Sequence, residues 1–121
     1  MRKLNLIGSG IAPLAANNIM GIVTSGLTAT GSDQAGALAI TDDISIVTTT
    51  AASTGVRLPA GTQPGDTYVI ANHGANSLSV YPPTGGKIAN GTGDAAKALA
   101  ATKAGIYISI DGTNYAAVIS A

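Results

Sequence analysis

An all-β fold, a β-sandwich or jelly-roll-like domain behind an extended N-terminal arm, is what this sequence predicts. Three observations predict it. The large apolar residues are Ile, Val, Leu and four Tyr, with no Phe, Trp or Cys, a set that favours strands. Short runs alternate with a two-residue period, so each strand has one face buried. Gly- and Pro-rich turns separate the runs. The 121 residues fit one domain and bury roughly two-thirds of the surface that the unfolded chain exposes.

Residues 1–21 form the expected arm. Leu4, Leu6, Ile7, Ile11, Leu14 and Ile19 are apolar anchors spread among Gly, Pro and Asn. Gly8, Gly10 and Pro13 exclude a stable helix. Such an arm either lies on its own core or reaches a neighbouring molecule. The basic start Met1-Arg2-Lys3 invites a signal-peptide reading, but Asn5, Gly8, Ser9, Gly10 and Pro13 break the apolar stretch too early. No run approaches the roughly 18 apolar residues of a membrane helix, so no membrane partner is expected.

Residues 22–121 read as the sandwich domain. Strands are expected at 22–24, 37–40, 44–49, 56–58, 67–71, 77–81, 87–89, 105–110 and 115–119. Ile44 and Ile46 share a face, as do Leu78 and Val80. Ile106, Ile108 and Ile110 share one face of their strand, with Tyr107 and Ser109 on the other. Pro59 and Pro64-Gly65 mark turns, the latter at the central positions of a type II turn. Asn72-His73-Gly74 reads as a strand-to-strand turn. Pro82 ends its strand because proline cannot donate to a ladder. Asp111-Gly112 between two alternating runs signals a hairpin. Residues 94–102 (DAAKALAAT) are the one helix-compatible stretch. No fixed period marks a repeat array.

Six basic residues balance six acidic ones, and charged residues are 10% of the chain. So little charge leaves a free monomer poorly protected against association. Much of the surface is therefore expected to be covered by protein. The basic residues Arg2, Lys3, Arg57, Lys87, Lys97 and Lys103 are mostly scattered, which speaks against phosphate-backbone binding and thus against nucleic acid.

Residues for chemistry are few. His73 is the one histidine, all six carboxylates are Asp, and no G-x-S-x-G elbow occurs. Asp42-Asp43, if extended, point to opposite faces. Gly8-Ser9-Gly10 lacks the rest of a phosphate loop. Asp111–Asn114 has too few oxygen ligands for a calcium loop. The expectation is a non-enzyme with no cofactor and no metal. A sugar-binding module is the rival, with Tyr107 and Tyr115 as candidate cross-strand neighbours.

A resemblance enters at residues 54–120. Leu58-Pro59, the Gly61–Asp66 turn, Asn72, the Gly74–Ser77 turn, Val80–Pro82, Gly85–Gly91 and the Asp111–Asn114 hairpin follow one another in order. With the lead-in at 35–47, this order resembles a β domain of tailed-bacteriophage virion proteins, above all the small capsid decoration (cement) proteins. The Ala-rich stretch at 95–101 departs from the pattern. The resemblance implies a virion protein on the outer capsid surface. Its implied partners are the major capsid protein and copies of itself, as a homodimer or homotrimer. It carries no catalytic residues to transfer. Related domains in tail and fibre proteins supply the alternative, a receptor- or carbohydrate-binding module.

Overall fold

The structure, a computed structural model, describes residues 21–121. They contain nine strands and no helix: β1 (Val23–Thr28), β2 (Leu38–Ala39), β3 (Ile44–Thr49), β4 (Gly55–Arg57), β5 (Thr67–Asn72), β6 (Leu78–Tyr81), β7 (Lys97–Leu99), β8 (Ala104–Ser109) and β9 (Tyr115–Ile119). The arm anchors Leu4, Leu6, Ile7, Ile11, Leu14 and Ile19 lie outside the described residues.

The strands form two sheets, a five-stranded one in the order β1-β3-β5-β8-β9 and a four-stranded one in the order β2-β4-β6-β7. From β1 to β6 the chain alternates between the sheets. Each return lays a strand parallel to its predecessor, so β1, β3 and β5 are parallel, as are β2, β4 and β6. The antiparallel pairs come only at the end, β6·β7, β5·β8 and β8·β9. The sandwich-like layering follows expectation, but the jelly-roll expectation is corrected. Jelly rolls are antiparallel, whereas here each connection from β1 to β6 crosses to the opposite sheet instead of folding back in a hairpin. The strand then re-enters its sheet in the original direction.

Between the sheets lies one core of Ile40, Val47, Val56, Leu58, Ile70, Leu78, Val80, Ile88 and Leu99, closed by Tyr107 and Tyr115. The Tyr68 and Tyr115 rings meet edge to face with centroids 6.2 Å apart, a favoured aromatic geometry. Leu78 and Val80 point inward together, as their alternation predicts. On β8 the buried face belongs to Gly105, Tyr107 and Ser109, and Ile106 and Ile108 look outward, with Ile110 exposed just beyond the strand.

Two expected elements differ. Residues 97–99, inside the helix-compatible stretch, are strand β7, because pairing with β6 sets Leu99 opposite Leu78 and buries both. Tertiary pairing here overrides the helix propensity of alanine. Residues 87–89 do not form a strand; Ile88 makes a single parallel bridge to Tyr115.

The turns behave as their residues require. Gly65 has φ 92° and the Asp66 amide donates to the Gln63 carbonyl at 3.0 Å, closing the turn around Pro64-Gly65. Gly112 has φ 89°, and a Cβ there would stand 2.8 Å from the Thr62 carbonyl oxygen. The β8–β9 hairpin thus presses on the 59–62 turn, where the Tyr115 hydroxyl donates to the Pro59 carbonyl at 2.6 Å. Pro82 is buried directly after β6, and its carbonyl accepts from Gln34 Nε2 at 2.8 Å. Asp43 Oδ2 accepts from the Ile22 amide at 2.9 Å and Asp42 accepts from Thr24 Oγ1, tying β1 to the start of β3.

Candidate functional site

No residue of the five strands β1, β3, β5, β8 and β9 carries a charge. Their inner face is the core already described. Their outer face is largely apolar as well, with Thr67 opposite Ile108 a polar exception. Pairing sets Val23 against Ile44, Ile44 against Val69, Val69 against Ile106, and Ile106 against Val118. One row of β-branched apolar side chains therefore crosses the whole sheet. Ile108 and Ala116 extend the face on one side of this row, and Ile46 and Ala71 on the other.

Val118 is 65% exposed, Val23 57%, Ile106 41% and Ile108 36%. With strands about 4.8 Å apart and a rise of about 3.3 Å per residue, these nine apolar positions cover roughly 300 Å² in projection. The largest apolar patch of an ordinary monomer is about 300–600 Å² and often functional, which makes this face the candidate interaction surface. Strands apolar on both faces are those that proteins cover on both faces. The runs Ile44-Ser45-Ile46-Val47 and Ile106-Tyr107-Ile108 held this signal, because each offers side chains to both sides. Only the strand register aligns them into one row.

A second feature is a cleft of 370 Å³ beside the β8–β9 hairpin, lined by Lys87, Asn90, Asp111, Asn114 and Tyr115 among others. The Asn114 backbone amide, its side-chain amide and the Thr113 amide hold the Asp111 carboxyl below the usual carboxylate range. Both Asp111 oxygens are thereby engaged within their own loop. That is a structural Asx-type role.

The other singled-out residues are dispersed. His73 is exposed in the β5–β6 turn, where its backbone amide donates to the Val47 carbonyl. Gly74 packs against Thr50. Tyr107 and Tyr115 are both fully buried, so neither ring offers a platform to a sugar. Tyr115 stands opposite Ser109 and Tyr107 opposite Ala117, so the two tyrosines are offset rather than directly paired. Among the described residues no three His or Asp side chains converge on a common metal position, and no helix is long and apolar enough to cross a membrane. No protein-family model matches the chain, and neither does any curated protein.

Proposed function

We propose that this chain is a structural, non-enzymatic virion protein that binds the exterior of a phage capsid and bridges adjacent major capsid subunits. The outer face of the five-stranded sheet carries the reading: it is uncharged, largely apolar, and exposed at Val23, Ile106, Ile108 and Val118. Removing roughly 300 Å² of such surface from water contributes on the order of 8 kcal/mol gross. Association entropy costs about 4–15 kcal/mol, so a single copy binds weakly and joined copies bind with avidity. Residues 1–21, with their apolar anchors, supply additional reach to the shell. Binding the assembled shell but not dispersed subunits stabilises the shell by mass action.

The test is add-back. Purified protein is mixed with undecorated shells, the shells are pelleted, and their thermal disruption temperature is recorded. Saturable co-pelleting with a raised disruption temperature is the expected result, weakened by deletion of residues 1–20. Absence of binding overturns the reading. The alternative, a carbohydrate-binding tail or fibre module, has the cleft of Lys87, Asn90 and Asn114 in its favour. On that alternative a glycan array gives a signal that Asn90→Ala abolishes.

A further inference from the structure

We infer that two copies of this chain pair through the edge of β9 that is open among the described residues, antiparallel and about a two-fold axis at Val118, to make one continuous ten-stranded sheet. The inference deepens the proposed function by naming the self-contact, but its observations and its test need no capsid.

Sheet edges are sites of unwanted pairing, and proteins blunt them with bulges, short strands, charges or proline. Three of the four edges here are blunted. β1 is broken by two register shifts and contains Gly26 at φ 77°. β2 is two residues long, and β7 is three residues long and begins with exposed Lys97. β9 differs. It pairs with β8 in unbroken register from Tyr115 to Ile119, and the strand YAAVI has neither charge nor proline.

The hydrogen-bonding pattern along β9 is fixed by its two ends. The Tyr115 amide donates to the Lys87 carbonyl, and the Tyr115 carbonyl accepts from the Ala89 amide, so both Tyr115 groups face away from β8. The Ser120 amide donates to the Ala104 carbonyl and so faces β8. Backbone groups alternate in an antiparallel ladder. Ala117 and Ile119 therefore present their amide and carbonyl groups at the open edge, with no partner among the described residues. The segment at Lys87–Ala89 covers the edge only at Tyr115.

This pattern is complementary to itself. Setting Ala117 against Ile119 of a second copy, and the reverse, pairs the outward amide and carbonyl of both residues with four hydrogen bonds. That register places Val118 directly opposite Val118 in a close, non-hydrogen-bonded pair. The row Val23–Ile44–Val69–Ile106–Val118 then runs on into its own mirror sequence, doubling the apolar outer face. A two-fold contact needs such a self-complementary patch, and the absence of charge removes like-charge repulsion across the axis. The paired edges bury less than the roughly 1,600 Å² of a standard interface, so the dimer belongs to the weaker class.

The test uses the full chain, which has no cysteine of its own, in shell-free solution. Sedimentation of the wild type up to about 100 μM, a range suited to small interfaces, is expected to show a reversible dimer. Val118→Lys, which sets two like charges face to face at a 65% exposed position, is expected to shift dissociation at least tenfold with an unchanged circular dichroism spectrum. Under mild oxidation Val118→Cys is expected to form a disulfide-linked dimer, whereas Ala116→Cys, equally a β9 position but off the axis, is not. A monomer throughout the range, equal cross-linking of the two cysteine variants, or a dimer indifferent to Val118→Lys each overturns the proposal.

Discussion

Asn72 joins three segments through one fully buried amide. Its Oδ1 accepts from Thr50 Oγ1 at 2.9 Å and from the Gly74 amide at 3.0 Å, and its Nδ2 donates to the carbonyls of Asn76 and Leu99. The end of β3, the β5–β6 turn and β7 are held together there. Asn72→Leu keeps the volume but strands these partners, and is expected to cost about 3–5 kcal/mol in urea denaturation. Gly74→Ala drives a Cβ to 2.2 Å from Thr50 Oγ1, an overpacking expected to cost about 1–3 kcal/mol. Tyr107 is the opposite case, since its buried hydroxyl has no partner among the described residues. Burial pushes its phenol up to about 12, against about 10 in the unfolded chain. The folded protein then holds that proton more tightly than the unfolded chain. The corresponding stability is complete below pH 10 and is lost as pH rises from about 10 to about 12. Tyr107→Phe is expected to flatten this alkaline slope and to raise stability at neutral pH by about 1 kcal/mol, as read from denaturation midpoints across pH.

At the scale of elements, β8 separates hydropathy from burial. Its isoleucines face outward and its Tyr107 and Ser109 inward, so hydropathy alone assigns the wrong side to the core. The alternation that divides Ile106 and Ile108 from Tyr107 and Ser109 was legible in the sequence, but which set is buried was not. Both sets are apolar enough, and the opposing sheet decides. The expected consequence is asymmetric. Ile106→Thr changes stability by less than about 0.5 kcal/mol, whereas Tyr107→Ala costs about 3–5 kcal/mol, measured in the same denaturation series. The hairpin at Asp111-Gly112 and the turn at Pro64-Gly65 were legible because each demands a specific local conformation. β7 was not, because Ala98 and Leu99 suit a helix equally well and only the pairing with β6 selects the strand.

Across the whole molecule, the all-β class and most strands follow from Ile, Val and Tyr runs set between Gly and Pro. The coiled, mostly parallel path does not. Local alternation is the same in parallel and antiparallel strands, and the direction of return is set by connections that cross between sheets. The outer face was half legible: scarce charge pointed to a covered surface, but only register assembles Val23, Ile44, Val69, Ile106 and Val118 into one row. The most direct measurement on that face is co-pelleting of the wild type and of an Ile106→Asp, Ile108→Asp double variant with undecorated shells, with circular dichroism confirming that both are folded. Docking through the outer face predicts saturable binding of the wild type and at least a tenfold loss for the variant. Binding of the folded variant at wild-type strength would contradict it.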